Sequence, residues 1–190
     1  MRLAGLRVGD DPGVWEALGF AVHDGTTTVG GVAIELAGNG TGITGWSVEG
    51  PATDVLPAAP SVPLTAQEHP NGVVAVDHVV AFTGDIDATM EALAADGLEA
   101  RRVREVPGSD VRQAFYVLET ALLELAGPVE GEAGPRFWGL TLAVSDLDGL
   151  AEQLGDSLGA VQPAVQQGRR IATLRREAGS SVPLAFITPR

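Results

Sequence analysis

Residues 120–127 read TALLELAG and residues 32–38 read VAIELAG, so the chain contains nearly the same apolar stretch twice. Each copy has one glutamate at its centre, Glu35 in the first and Glu124 in the second. A carboxylate in an apolar strand is costly unless another group pairs with it or it faces water. The repeat therefore predicts two related structural units, with a glutamate at the same place in each.

The sequence that leads to the second copy has the pattern of a β-α-β-β-β unit. VVAVDHVVAF (73–82) is rich in β-branched residues, which is typical of a strand. Asp85 is a suitable N-cap for the helix that follows, and Gly97 a suitable stop. Apolar residues recur between them at helical spacing. Three strands are then predicted, in EARRVREV, VRQAFYVLE and ALLELAG.

The same pattern recurs on both sides of this unit. Residues 135–190 align with residues 73–128 when Asp148 is set against Asp87, and they predict a second β-α-β-β-β unit. Residues 1–50 hold a shortened copy, in which Asp11 is the N-cap and Pro12 the first helical residue. Residues 51–72 are rich in proline and lack periodicity, so they are predicted to be a linker.

Composition excludes several classes of function. The chain has no cysteine, which rules out disulfides, thiolate metal sites and cysteine nucleophiles. A net charge of −13 argues against binding to nucleic acid. No apolar run is long enough for a membrane helix, and the first residues lack the features of a signal peptide, so we expect a cytoplasmic location. Nucleophile-elbow, P-loop, dinucleotide-binding and H-E-x-x-H motifs are also missing.

A tandem of β-α-β-β-β units in which AVDHVV opens a unit and LLELAGP closes it resembles the vicinal oxygen chelate superfamily. This group includes glyoxalase I, the bleomycin-resistance proteins and the extradiol dioxygenases. The resemblance implies an α+β fold in which paired modules, at 73–128 and 135–190, curve a mixed sheet around a cleft. Residues 1–50 would form an extra N-terminal half-module, which extends the sheet or mediates formation of a homodimer through an exposed edge.

The resemblance also implies where a divalent metal would bind, because the superfamily takes its ligands from the first and last strands of each module. These positions are His78 and Glu124 in the middle module, but Gly139 and Ala185 in the C-terminal one. If the middle module pairs with the C-terminal one, only His78 and Glu124 remain. If it pairs with the N-terminal copy, Glu35 joins them in a set that suits Mn, Fe, Ni, Zn or Mg. The longer C-terminal match favours the first pairing.

Further candidate residues lie on the predicted strands. Glu124 is a candidate proton shuttle, and Tyr116 is the only tyrosine and hence the only candidate for a catalytic phenol. Strand alternation leaves open whether the face with Arg112 or the face with Phe115 contacts a ligand. Two other candidates for ligand contacts, each with a plain structural alternative, are an arginine for a carboxylate and a tryptophan for an aromatic pocket, Arg170 and Trp138.

Two functions follow from the resemblance. The first is a metal-dependent enzyme, a lyase, isomerase or dioxygenase, that acts on a small oxygenated metabolite with the metal as Lewis acid. The second is a metal-free protein that binds a small molecule in its cleft, as the bleomycin-resistance proteins do. Missing ligand positions in the C-terminal module favour the second function, whereas the usual activity of the superfamily favours the first.

Overall fold

The computed structural model describes residues 1–51, 53–129 and 131–190, and its strands form two mixed sheets. Ala52, in the predicted linker, lies outside the described residues. The first sheet and its helix consist of β1 (Arg2–Val8), α1 (Pro12–Ala17), β2 (Thr26–Val29), β3 (Val32–Leu36) and β4 (Ile43–Glu49). The strand order is β2-β3-β1-β4.

The second sheet has eight strands and contains both complete modules. The middle module is β5 (Val73–Phe82), α2 (Ile86–Ala95), β6 (Arg102–Glu105), β7 (Val111–Val117) and β8 (Leu122–Pro128). The C-terminal module is β9 (Arg136–Val144), α3 (Leu147–Leu154), β10 (Gln162–Pro163), β11 (Arg170–Thr173) and β12 (Leu184–Ile187), with short 3₁₀ turns at Gly155–Ser157 and Arg176–Ala178. The order β10-β11-β12-β9-β5-β8-β7-β6 confirms the predicted α+β fold class.

The repeated stretches occupy equivalent places in the two sheets. In both complete modules the last strand runs parallel to the first and lies beside it, and in the small sheet β3 has the same relation to β1. The parallel register sets Glu35 opposite Arg7, Glu124 opposite Val80 and Ala185 opposite Thr141. VAIEL and LLEL are thus the closing strands of related modules, as the repeat predicts.

The two complete modules join where β5 runs antiparallel to β9, which is the pairing that the longer C-terminal match favours. In the small sheet β4 runs antiparallel to β1 and so takes the position that a partner module's first strand would hold. The N-terminal copy therefore completes its own sheet and does not pair with the middle module. As a result Glu35 and Glu124 lie in different sheets.

The helices begin where the sequence indicates. Asp11 accepts a hydrogen bond from the Gly13 N–H at 2.8 Å, and Pro12 is the first residue of α1. Asp85 caps α2 by accepting from the Ala88 N–H at 2.9 Å. Both predicted caps are confirmed. None of the helices in the described part of the chain is long and apolar enough to cross a membrane.

Residues 53–72 of the predicted linker cover the edges of the small sheet. On β4 the Trp46 N–H donates to Pro57 O at 3.0 Å, and the Ala59 N–H donates to Trp46 O at 2.7 Å. On β2 the Thr28 N–H donates to the Gln67 side chain at 2.7 Å. These contacts satisfy edge groups that would otherwise attract another strand. The homodimer was expected because the edge of the half-module would be exposed. At these positions the edge is covered, so they give no reason to expect a homodimer.

Candidate functional site

The eight-stranded sheet curves around a cleft with a volume of about 770 Å³. One wall comes from β6 and β7 of the middle module, and the other comes from β10 and the loop that follows it. The floor includes side chains of the two strands that carry the predicted histidine and glutamate, His78 and Glu124. The cleft therefore contains both candidate residues of the middle module.

Strand register explains why these side chains meet. His78 lies opposite Leu122 of β8, and Glu124 lies two residues further along β8, opposite Phe115 of β7. Residues directly opposite each other, and residues two apart in one strand, point to the same face of a sheet. Leu122, Phe115, His78 and Glu124 all line the cleft. The distance from His78 Nε2 to Glu124 Oε2 is 3.8 Å.

The Glu124 carboxylate is held by hydrogen bonding from its neighbour in β7. The Gln113 side-chain amide donates to Glu124 Oε1 at 2.5 Å, and Gln113 Oε1 in turn accepts from Arg104 Nε at 2.6 Å. The guanidinium of Arg104 lies over the Phe115 ring, 5.3 Å from its centroid. Glu124 is therefore tolerated in the apolar strand LLEL because its carboxylate faces the cleft and has an amide partner.

A β-bulge brings a second carboxylate to His78. Val76 pairs with Leu142 and His78 pairs with Thr141, so Asp77 has no partner of its own in β9. Simple alternation would set Val76 on the His78 face, which is wrong, because Val76 lies in the hydrophobic core. The bulge lets Asp77 Oδ2 reach His78 Nδ1 at 2.9 Å.

Asp77 is buried and ionised. Burial alone would raise its pKa, but hydrogen bonds from His78 and Arg169, with the Arg169 charge, outweigh burial and hold the pKa at about 2. The Arg169 guanidinium donates to Asp77 Oδ1 at 2.8 Å and to Thr188 O at 2.8 Å. Arg190 Nε is 3.6 Å from the same carboxylate. Because an ionised carboxylate only accepts, His78 Nδ1 carries the proton that lies between them.

Of the other predicted site residues on the middle module, Phe115 lines the cleft, whereas Tyr116 and Arg112 do not. Tyr116 is fully buried in the core, where burial raises its pKa to about 12. Arg112 pairs with Asp87 of α2. Gln113, beside Arg112 in the sequence, is the residue of β7 that contacts Glu124. As ligand contacts or catalytic groups all of these residues stay predictions.

The remaining predicted residues lie away from the cleft lining. Arg170 donates two hydrogen bonds, both 2.8 Å, to Asp148 of α3. Trp138 is 47% exposed and packs edge-on against Phe82, with 5.3 Å between the ring centroids. It lines a separate cavity with Arg175 and Arg176. Glu35 is 3.4 Å from Arg7 in the small sheet.

The donor set of the cleft does not fit a divalent site of three or four protein ligands. His78 Nε2 and Glu124 Oε2 are two atoms that could bind a metal ion, and the other Glu124 oxygen already accepts a hydrogen bond from Gln113. The equivalent positions in the C-terminal module, Gly139 and Ala185, have no donor side chains. No three His, Cys, Asp or Glu side chains are grouped as a metal site within residues 1–51, 53–129 and 131–190.

Sequence reasoning missed the residues that support this pair. Asp77 depends on a bulge that alternation does not reveal, and Arg169 comes from 92 residues further along the chain. Sequence reasoning also missed Arg101, Arg102 and Arg104 in the β6 wall. The spacing in RRVRE could have indicated two of them, because Arg102 and Arg104 are two residues apart on one strand face. In the structure they lie opposite Phe115 and Gln113.

Solved structures support the fold. A methylmalonyl-CoA epimerase from Mycobacterium tuberculosis is 20% identical, with a TM-score of 0.50, and the match covers 63% of this chain and 90% of that one. A methylmalonyl-CoA epimerase variant from Streptomyces coelicolor, in complex with 2-nitronate-propionyl-CoA, is 20% identical, with a TM-score of 0.50 and coverage of 61% and 97%. No protein-family model and no curated protein matches the sequence. The resemblance predicted from the repeats is confirmed at the level of structure: this chain has the vicinal oxygen chelate, or glyoxalase-like, fold.

Proposed function

We propose that this chain is an enzyme that transfers a proton on a small oxygenated metabolite bound in the cleft, with Glu124 and His78 as the reacting pair. The observation that carries the proposal is the position of His78 between two carboxylates. Its Nε2 is 3.8 Å from Glu124 and its Nδ1 is 2.9 Å from Asp77. A histidine held in this way can exchange a proton at one nitrogen while the other fixes the ring.

The chemistry is a proton shift next to a carbonyl group. Glu124 accepts the proton from carbon, the C–H electron pair moves into the carbonyl, and negative charge develops on the oxygen. Gln113 contacts Glu124 and Arg104 contacts Gln113, and both line the cleft, so their N–H groups are suitable partners for that oxygen. Where the reacting carbon carries a hydroxyl group, His78 Nε2 accepts the hydroxyl proton and gives it to the former carbonyl oxygen. Glu124 then returns its proton to the former carbonyl carbon, so that the product is an isomer of the substrate.

The geometry favours transfer on one face of the substrate. Glu124 and His78 are both on the sheet floor, whereas three glutamines contribute to the opposite wall, Gln162, Gln166 and Gln167. Inversion at carbon by two bases needs proton-transferring groups on both sides of the reacting atom. We therefore favour an isomerisation in which the proton leaves one carbon and returns to the adjacent carbon on the same side of the substrate.

A metal-free binding protein is the second candidate. The observation in its favour is the 2.5 Å hydrogen bond from Gln113 to Glu124, which already satisfies one oxygen of that carboxylate. In this function the pair would orient a ligand and transfer no proton.

Deuterium exchange separates the two functions. Carbonyl compounds with an exchangeable C–H, such as 2-oxobutyrate, acetoacetate and dihydroxyacetone phosphate, are incubated with the chelator-treated protein in D₂O and followed by proton NMR. We expect exchange that Glu124→Gln lowers about 100-fold or more, because a positioned acid–base group contributes about that much. Glu35→Gln, the same substitution at the equivalent position of the small sheet, is the matched control. Equal exchange in wild type and Glu124→Gln, or binding without exchange, would contradict the proposal.

A further inference from the structure

Three arginines form one edge of the cleft. Arg101, Arg102 and Arg104 belong to β6 or immediately precede it, and all three line the cavity that contains Glu124. Arg104 is fixed by Gln113 and Phe115. Arg101 and Arg102 are exposed and form no ion pair with a described carboxylate. We call this set the arginine edge.

These unpaired arginines differ from most others in the chain. Six of the 12 basic residues make ion pairs within the described residues, namely Arg2, Arg7, Arg112, Arg169, Arg170 and Arg190. The arginine edge places three positive charges in a cleft where Glu124 is the only lining carboxylate among the described residues. The chain as a whole has a net charge of −13, so this cleft is a local positive region on an acidic protein.

The arginine edge is connected to the reacting pair by a continuous set of contacts. Arg104 donates to Gln113, Gln113 donates to Glu124, and Glu124 lies 3.8 Å from His78. A group bound at Arg101 and Arg102 therefore leaves the rest of a ligand directed along the same wall toward Glu124. The facing glutamines carry no charge that would repel an anion.

We infer that the ligand carries a doubly charged oxyanion, a dicarboxylate or a phosphate, which binds at Arg101 and Arg102 while its reactive carbon reaches Glu124. The inference rests on the proposed function for the position of the reactive end. Guanidinium groups recognise carboxylate and phosphate through paired, charge-assisted hydrogen bonds, and both anions present the same chemistry to them.

Calorimetric titration tests the inference on the full chain. Malonate and inorganic phosphate are the two anionic probes, and malonamide is the uncharged analogue of malonate. We expect at least one anion to bind, with affinity reduced about tenfold by Arg102→Gln and by Arg101→Gln, since a lost hydrogen bond to a charged group is worth about one such factor. Malonamide should not bind. The stronger of the two anions identifies the source of the charge.

Arg136→Gln is the matched control, because Arg136 is exposed, forms no ion pair with a described carboxylate and does not line the cleft. Thermal midpoints of the variants establish that each one folds. Equal binding by Arg102→Gln, Arg136→Gln and wild type would overturn the inference, as would equal binding of malonate and malonamide, or no binding of either anion.

The two experiments separate a failure of the anion-binding inference from a failure of the proton-transfer function. Anion binding that depends on Arg102, without deuterium exchange in any compound, would support the inference and reject the proton-transfer function. Deuterium exchange with the same KM in Arg102→Gln and wild type would support the proton-transfer function and reject the anion-binding inference. Where both hold, Arg102→Gln raises KM and leaves kcat nearly unchanged, whereas Glu124→Gln lowers kcat.

Discussion

Asp77 and His78 are consecutive residues of one strand, yet Asp77 Oδ2 lies 2.9 Å from His78 Nδ1. Side chains of consecutive strand residues ordinarily point to opposite faces, and the bulge at Asp77 removes that separation. His78 thereby faces the cleft with one nitrogen anchored. The anchor is itself held by the buried guanidinium of Arg169.

Asp77→Asn should destabilise the protein by about 3 kcal/mol, because it leaves the buried Arg169 charge without a partner. The free energy of unfolding in urea measures the loss. Asp148→Asn is the control, since its partner Arg170 is exposed, and the expected loss is much smaller. Equal losses in the two variants would contradict the difference in burial.

The Asp77 carboxyl should make the stability of the protein depend on pH in the acid range. Its pKa is about 2 in the folded protein and 3.8 in the reference state, so the folded form binds the proton less readily. Its contribution, on the order of 2 kcal/mol, is present above about pH 4 and is lost as pH falls toward 2. Asp77→Asn should lack this part of the acid transition. An unchanged acid midpoint relative to Asp148→Asn would contradict the assignment.

Tyr116→Phe should leave proton transfer unchanged and maintain or raise stability, by up to about 1 kcal/mol. Its hydroxyl is buried without a hydrogen-bond partner among the described residues, so removal of the oxygen relieves an unsatisfied group. Thermal midpoint and the deuterium-exchange rate measure both effects. A large loss of exchange with normal stability would show that the phenol acts in the reaction after all.

His69 should make stability depend on pH below neutrality. Its Nδ1 accepts from the Ala21 N–H at 3.2 Å and its Nε2–H donates to Thr28 O at 2.9 Å, which requires the neutral ring. Burial lowers its pKa, against the raising effect of the Thr28 carbonyl. The folded form thus binds a proton less readily than the unfolded chain, and stability falls as pH drops below about 6.5.

Urea midpoints at pH 7.5 and 5.5 test this dependence. His69→Gln should be less stable than wild type at pH 7.5 and should lose less stability on going to pH 5.5. The same pH dependence in both proteins would show that His69 does not titrate across folding.

Asp10→Ala should weaken the attachment of the N-terminal unit to the C-terminal module. The buried Asp10 carboxylate accepts from Trp15 Nε1 at 3.0 Å, Ser180 Oγ at 2.9 Å and the Ser181 N–H at 2.9 Å. Loss of these acceptors should cost about 3 kcal/mol in unfolding free energy. The neighbouring helix cap is the control, because Asp11→Ala should cost about 1 kcal/mol. A smaller loss for Asp10→Ala than for Asp11→Ala would contradict this role.

Local signals in the sequence were sufficient to predict the order of strands and helices. The VAIEL and LLEL stretches identify closing strands because apolar strands and short helices recur in a fixed order. Asp11 and Asp85 identify helix starts because a carboxylate satisfies free N–H groups there. These features depend on residues close together in the chain, and each is present in the structure.

The support of the site depends on contacts that are not local. Alternation cannot tell which face of β7 borders the cleft, since Arg112 and Gln113 are both polar. The structure decides for Gln113 because β7 pairs with β8 in a register that sets Phe115 beside Glu124. Arg169 reaches Asp77 only after the C-terminal module joins the middle one. Neither contact can be predicted from the periodicity of the sequence.

Chemical-shift mapping shows whether the concave face of the eight-stranded sheet is the ligand site. Malonate or phosphate, whichever binds more tightly, is titrated into ¹⁵N-labelled protein, and backbone and side-chain amide shifts are followed. We expect the largest changes at Arg102, Gln113 and Phe115, and we expect them to saturate together. Changes centred on Trp138 and Arg175, in the separate cavity, would contradict this expectation.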